Sequence, residues 1–215
     1  MIECRIAKTY GKKQVLNLTR DFDEGKIYAV IGNNGSGKST FLNALSRQIP
    51  FDGEINGVKN VIYMTQNAYN FDLSVKNNVL LFVSKKDVEK RRKAEKMMAE
   101  IGLCDLSKKN ARKLSGGEWQ KTALVRTLLQ KCDVLLLDEP TSSMDVSSSE
   151  IAERMIKEYQ KENNCTVFIV THSVSLAERI ADEIIFLDGG EIIESGADII
   201  ANPSSPQLQT FLKNR

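Results

Sequence analysis

The chain has 215 residues, 41 % of them hydrophobic, which suits one substantial core with at most a small satellite lobe. Thirty Lys and Arg against 28 Asp and Glu leave a net charge of +2. That balance gives no case for nucleic acid as an obligatory partner.

In chain order, "IECRIAKTY" and "QVLNLTRDFDEGKIYAVIG" alternate and carry Gly and Asp turn signals, so they read as strands. "KIYAVIG" is a buried strand running into a glycine-rich loop, followed by a helix from about Lys38 to Arg47. "GEINGVKNVIYMTQ" reads as two short strands. From about Val75 to Ile101 the pattern is helical. There "SKKDVEKRRKAEKMMAEIG" starts on a capping Ser84, keeps Ala94, Met97, Met98 and Ile101 on one side, and stops at a glycine. Its basic run reads as a solvated face, because Asp87, Glu89, Glu95 and Glu100 interleave. "EWQKTALVRTLLQK" is a helix, and "DVLLLDEP" is a continuously apolar strand of the parallel-sheet kind. A helix "SSSEIAERMIKEYQKEN", a strand "CTVFIVTHS" and a helix "VSLAERIADE" follow. "IIFLDGGEIIESG" is a hairpin turning on Gly189-Gly190, and "SSPQLQTFLKNR" is a terminal helix. The alternation predicts a mostly parallel α/β sheet interrupted by a helical lobe from about Phe71 to Ser115.

The four cysteines, Cys4, Cys104, Cys132 and Cys165, lie far apart with no C-x-x-C pair. They read as reduced, buried thiols, not as a disulfide framework or zinc site. The N-terminal stretch has no apolar h-region, so no signal peptide is expected. No run approaches the roughly 18 apolar residues that span a bilayer, so any membrane role is expected to come from a partner.

"GNNGSGKST", Gly32 to Thr40, fits G-x-x-x-x-G-K-[ST] and sits between a strand and a helix. Glycines let backbone N–H groups converge on phosphate oxygens, and the helix N-terminus adds its positive dipole end. Lys38 supplies charge to the β- and γ-phosphates, and Ser39 offers a hydroxyl to Mg²⁺. In "VLLLDEP", Asp138 closes a buried strand where open α/β sheets bind ligands, suited to hold Mg²⁺ through water. Glu139 beside it is suited to polarise the attacking water. His172, the only histidine, follows "TVFIVT" at another strand end and is placed to contact a γ-phosphate. Gln66 closes "VIYMT" and enters the helical lobe; a polar loop residue is the competing reading. Tyr10 is either an aromatic that stacks on a base, with Val15 nearby, or a core tyrosine. "KLSGGEWQK" is a second phosphate-seeking helix start: Ser115 caps it, Gly116 and Gly117 open the backbone, and Glu118 stands three after the cap.

Together these residues resemble the nucleotide-binding subunit of ATP-binding-cassette (ABC) transporters, along essentially the whole chain. "LSGGE", Leu114 to Glu118, looks like the family signature. Gly32–Thr40 looks like its Walker A and Val134–Glu139 like its Walker B. Gln66 matches the Q-loop, His172 the switch histidine, Tyr10 the adenine-stacking aromatic, and "SSMD", Ser142 to Asp145, the D-loop. After "LSGG" the family usually continues with polar residues and an arginine; here stand Trp119, the only tryptophan, then Gln120 and Lys121. Ser143 and Met144 also depart from the usual D-loop. The hydrolytic set is intact.

The resemblance implies a single P-loop ABC ATPase domain over residues 1–215. It would have a mostly parallel core sheet, an antiparallel N-terminal β subdomain and an inserted α-helical subdomain. The catalytic core would span about 1–70 and 116–215, and the helical subdomain about 71–115. It implies ATP held by Tyr10, Val15, Asn33, Gly35, Ser36, Gly37, Lys38, Ser39 and Thr40, with Ser115, Gly116, Gly117 and Asp145. Mg²⁺ would lie at Ser39, Gln66 and Asp138, and catalysis would fall to Glu139, His172, Lys38 and Gln66. It implies a head-to-tail dimer with ATP sandwiched between subunits. The residues support this independently: one chain holds one lysine loop but two phosphate-seeking helix starts, and two-fold symmetry uses both.

Transmembrane permease subunits and a solute-binding protein would complete the system, at the cytoplasmic face of the cell membrane. The tail "IIANPSSPQLQTFLKN" resembles the ends of importer subunits for polar amino acids and oxyanions such as tungstate or phosphate. An additional C-terminal regulatory domain is expected to be absent. An exporter, a lipoprotein-release ATPase and a soluble cassette ATPase are the competing readings.

Overall fold

Hydrophobic alternation builds the first sheet of the computed structural model, which describes residues 1–214. In β1 (Ile2–Tyr10), Ile2, Cys4 and Ile6 point inward. Antiparallel partners β2 (Lys13–Phe22) and β4 (Asp52–Asn56) flank it, giving the order β2-β1-β4.

The second sheet has six strands and holds the chemistry-bearing ends. Its order is β5 (Val61–Met64), β6 (Val134–Asp138), β7 (Thr166–Val170), β3 (Ile27–Ile31), β8 (Glu183–Asp188) and β9 (Glu191–Gly196). The pairs β6–β7, β7–β3 and β3–β8 are parallel; β9 returns antiparallel through Gly189 and Gly190, both at positive φ. Every residue of β3, β6 and β7 is buried, as expected of parallel strands covered on both faces. Register sets Asp138 opposite Val170, and Val170 opposite Val30. The loops that leave these three strands therefore start level with one another, where parallel sheets bind ligands.

Phe22, Tyr28, Phe41 and Phe168 form the centre of the main core. Phe168 meets Phe22 edge-on at 5.0 Å and stacks on Tyr28 at 5.2 Å. A second cluster joins Ile31 and Phe186 to Leu208 and Phe211 of α7 (Pro206–Lys213). That helix starts as its sequence suggests, with a Ser205 cap and Pro206 in the first turn. Before it in the chain, α6 (Val174–Ile180) is capped by Ser173.

The chain divides into two units: Met1–Tyr63, Cys132–Asp138 and Gln160 onward form one, Met64–Lys131 and Glu139–Tyr159 the other. The second holds α2 (Val75–Val79), α3 (Val88–Glu100), α4 (Gly116–Leu128) and most of α5 (Val146–Asn163). It is wider than the segment from about 71 to 115 because α2 and α3 both pack against α4. The cap of α3 is Asp87, whose carboxylate accepts from Lys90 N at 3.0 Å; Ser84 instead accepts from Lys86 N in a local turn. Of the cysteines, Cys4, Cys132 and Cys165 are buried, but Cys104 is exposed. Cys132 and Cys165 sulfurs lie 3.6 Å apart, hydrogen-bonded and not joined in a disulfide, and burial pushes the Cys4 thiol up to about 12. Among the described residues no helix is long and apolar enough to cross a membrane.

Candidate functional site

In the first unit, β3 ends at Ile31 and α1 (Lys38–Leu45) begins seven residues later, so Gly32–Gly37 forms a tight loop. Lys38 is buried, and its ammonium donates to the carbonyls of Gly32 at 3.0 Å and Asn33 at 2.8 Å. Those bonds curl the loop around the lysine. Gly37 at φ 104° requires glycine twice over: the angle disfavours a side chain, and a Cβ would stand 2.7 Å from the Val15 carbonyl. By contrast, a Cβ at Gly35 would meet nothing within 4 Å, so that side of the loop is open.

Three features make the open side an anion site. No side chain caps α1 and its first turn holds no acid, so the orphan N–H groups of a helix start have no local acceptor. Ser36 Oγ is buried without a hydrogen-bond partner. The Lys38 charge sits beside them. A buried hydroxyl without a partner and uncapped helix N–H groups beside a buried ammonium suit an anionic ligand.

The Gly37→Ala variant is expected to lose roughly 2 kcal/mol in the loop through left-handed strain and the Val15 clash. A lowered melting temperature together with weaker binding of a phosphate-bearing ligand checks it.

The sheet edge supplies the acid. Asp138 is 5 % exposed, and burial raises its pKa above the carboxylate norm. Hydrogen bonds from Ser39 and Tyr63, and the charges of Lys38 and His172, oppose that rise. Tyr63 Oη donates to Asp138 at 3.4 Å. The Ser39 hydroxyl and a desolvated carboxylate form a hard-oxygen pair that fits Mg²⁺.

The sign follows from linkage: a folded pKa above the unfolded one makes the protonated acid the better folded form, so this residue's contribution falls as pH rises from the unfolded toward the folded value. The Asp138→Asn variant is accordingly expected to melt higher than the parent at neutral pH without ligand, while losing Mg²⁺ affinity. Calorimetry and a Mg²⁺ titration check the two halves.

His172 follows β7 and is half-buried; Thr171 Oγ1 accepts from Ser173 N at 3.0 Å, fixing the turn that carries it. Tyr10 ends β1 at 52 % exposure with Lys8 Nζ 4.9 Å from its ring centroid, so it is a surface aromatic and not a core one. Val15 is half-buried against the loop through its carbonyl.

In the second unit Ser115 caps α4 in a full capping box. Its Oγ accepts from Glu118 N at 3.3 Å, and its own N–H donates to the Glu118 carboxylate at 2.8 Å. That amide, joined by Lys109 at 3.1 Å, holds Glu118 below the usual carboxylate range. Glu139, directly after Asp138, is buried and adopts φ 52°, a left-handed angle that costs a glutamate energy.

The ABC transporter family model matches residues 15–142, more than half of the chain. The chain belongs to the ABC transporter family. It is an ATP-hydrolysing cassette. The tungstate uptake ATP-binding protein of Peptoclostridium acidaminophilum is 36 % identical over 203 residues, 88 % of this chain and 95 % of that one. The glutamine transport ATP-binding protein of Escherichia coli is 32 % identical and covers 100 % of this chain and 99 % of its own. The dimeric cassette MJ0796, solved in a post-hydrolysis state with ADP and Pi, superposes with a TM-score of 0.78 at 25 % identity over 91 % of this chain and 98 % of that one.

Within this ABC cassette the second unit gathers residues that periodicity did not single out. A cavity of about 230 Å³ is lined by Met64, Gln66, Asn67, Ala68, Gly116, Trp119, Gln120 and Ser143. It brings the exposed Gln66 beside the start of α4. Trp119 is half-buried there, and its indole N–H donates to the Ala68 carbonyl, tying α4 to the stretch after Gln66. Arg126, one face further along α4, is 8 % exposed and donates to Asn70 at 3.0 Å, Asn78 at 3.3 Å and the Tyr69 carbonyl. The Arg126→Met variant is expected to destabilise this unit by roughly 2 kcal/mol, because Asn70 Oδ1 and the Tyr69 carbonyl lose this donor while Asn78 Oδ1 keeps only Phe71 N. Urea unfolding measures it.

Asp145 accepts from Ser148 N at 2.8 Å and from the Ser147 and Ser148 hydroxyls, which hold its carboxyl far below the usual range; Lys121 stands 3.6 Å away. Its carboxylate thus caps α5, a structural use beside the nucleotide contact expected of the D-loop.

Proposed function

We propose that two copies of this chain close around two ATP molecules, each copy supplying the Walker A side of one site and the signature side of the other. The observation that carries this reading is the split of phosphate-seeking devices: the loop around Lys38 is a complete anion cradle in the first unit, while Ser115 opens a second capped helix start in the other. The Ser115 hydroxyl accepts from its own helix and keeps a proton to donate. A partner's γ-phosphate is an acceptor of the right chemistry. The dimeric cassettes among the solved relatives support the pairing.

Adenine stacks on the exposed Tyr10 ring, with Val15 beside it. Gly35, Gly37, Lys38 and the first turn of α1, with Ser36, Ser39 and Thr40, bind the phosphates, and Asn33 lines their edge. Ser39 and Asp138 would hold Mg²⁺, and Gln66 is the residue that matches the family's Q-loop. When bound, the ion neutralises charge on the β- and γ-oxygens. Glu139 orients and deprotonates water for in-line attack. His172 hydrogen-bonds the γ-phosphate, while Ser115, Gly116 and Gly117 of the second copy close over it, next to that copy's Asp145. Release of phosphate removes what the signature helix was holding, and the pair opens. Gln66 passes that change to the helical lobe.

The same reading places the cassette at the cytoplasmic face of the membrane beneath permease subunits, powering import of a small polar solute delivered by a binding protein. Relatives named for tungstate, arginine, phosphate and glutamine support an oxyanion or a polar amino acid as the cargo class. Uptake of labelled tungstate, phosphate, arginine and glutamine by cells lacking this chain tests the direction. Loss of one uptake supports import. Unchanged uptake of all four, with a failure of efflux, overturns it.

A further inference from the structure

We infer that Gln120 is a positioning residue for hydrolysis: its side-chain amide holds the Glu139 peptide in its left-handed turn and ties that turn to the D-loop. The inference rests on the reading of Glu139 as the residue that activates water.

The geometry is bidentate. Gln120 is 5 % exposed. Its Nε2 donates to the Glu139 carbonyl at 2.6 Å and to Ser142 Oγ at 3.2 Å, and its Oε1 accepts from Ser143 N at 2.9 Å. One amide therefore closes both ends of the Glu139–Ser143 turn. Ser142 donates to the same carbonyl twice, from Oγ at 3.2 Å and from its backbone N–H at 3.4 Å, so this oxygen has three donors, of which Gln120 is the shortest and the one from outside the turn. A glutamate at φ 52° is a minority conformer that persists only where its surroundings over-determine it. The donors on its carbonyl, with the grip on Ser143, supply that determination.

The position of Gln120 gives the contact a second meaning. It is one residue beyond Trp119, which hydrogen-bonds Ala68, and four beyond Gly116 at the start of the signature helix. A Cβ at Gly117 would stand 2.7 Å from the Ser143 carbonyl, so α4 and the D-loop are already at contact distance on this side. A shift of the first turns of α4 therefore moves the turn that aims the Glu139 carboxylate. Gln120 relays the state of the signature helix to the water-activating group of the same chain, without touching nucleotide.

The test compares parent, Gln120→Met, Gln120→Glu and Glu139→Gln, each alone and with Gln120→Met added to Glu139→Gln. ATP affinity is measured by calorimetry and turnover by phosphate release. Gln120→Met keeps the volume and loses all three bonds. It is expected to leave ATP affinity within about twofold and to lower kcat roughly 10- to 100-fold, the cost of misplacing a catalytic group. Gln120→Glu keeps the acceptor for Ser143 N and loses the two donated bonds, so its kcat should also fall while its fold is retained. In the Glu139→Gln background, adding Gln120→Met should change residual turnover less than about twofold. Parental kcat in either single variant, or an equal loss in both backgrounds, overturns the inference while leaving the role of Glu139 standing. Parental turnover in Glu139→Gln overturns both.

Discussion

Glu139→Gln is expected to bind ATP with near-parental affinity, to lose hydrolysis by roughly 10²- to 10⁴-fold, and to accumulate as an ATP-bound pair of chains. The substitution removes a base and little else. The residue is buried at 6 % exposure, and its carbonyl is anchored by Gln120 and Ser142, bonds the isosteric amide leaves in place. Lys38, Ser36 and the open turn of α1 are untouched, so the cradle keeps its affinity. With γ-phosphate still attached, Ser115 of the second copy keeps its acceptor, and opening has no trigger. Phosphate release and sedimentation with ATP are the two readouts. A variant that turns over at the parent rate would show that water is activated elsewhere.

Lys38→Ala is expected to fail one step earlier. Each hydrogen bond to a charged group is worth roughly 1.5–3 kcal/mol, so removing the ammonium weakens ATP binding by about 10- to 100-fold. The loss is compounded within the loop, because the carbonyls of Gly32 and Asn33 now accept from Lys38 at 3.0 and 2.8 Å. Without that donor the two oxygens lose their shared partner, and the loop loses what curls it. Lys38→Arg is not expected to rescue it. A planar guanidinium has a different shape from an ammonium, and the lysine sits at 6 % exposure in a close-fitting loop. Equilibrium titration with ATP at fixed magnesium separates this affinity loss from the turnover loss of Glu139→Gln.

The parts of the cassette that were legible in its sequence are those written in local chemistry. The lysine loop, the apolar strand ending at Asp138, the Gly189-Gly190 hairpin and the capping box at Ser115 each depend on residues within one turn of chain. What escaped depends on which loop lies across which helix. Periodicity marks Trp119, Gln120 and Arg126 as positions on α4. It does not reveal that they grip two different stretches, Ala68–Asn78 and Glu139–Ser143. Trp119, for which α4 alone offers no facing partner, turns out to face the stretch after Gln66. Ser84 reads from the sequence as the cap of α3, but the cap is Asp87, three residues on, whose carboxylate accepts from Lys90 N. Arg126 carried one usable signal, a lone cation inside an otherwise apolar "ALVRTLL" run, which implies buried acceptors.

The central claim is that each ATP site is completed by a second copy, and mixing two inactive variants tests it most directly. Lys38→Ala spoils the cradle side of both sites in a homodimer, and Ser115→Arg spoils the signature side of both. A mixed pair holds one site with both sides intact and one with neither. Phosphate release should be near zero for either variant alone. It should appear on mixing, peak at equal amounts, and reach at most roughly a quarter of the parent rate if sites act independently, since half of the pairs are mixed and each has one working site. Mixtures that never exceed the sum of the two separate variants would contradict the account and return the whole reaction to a single chain.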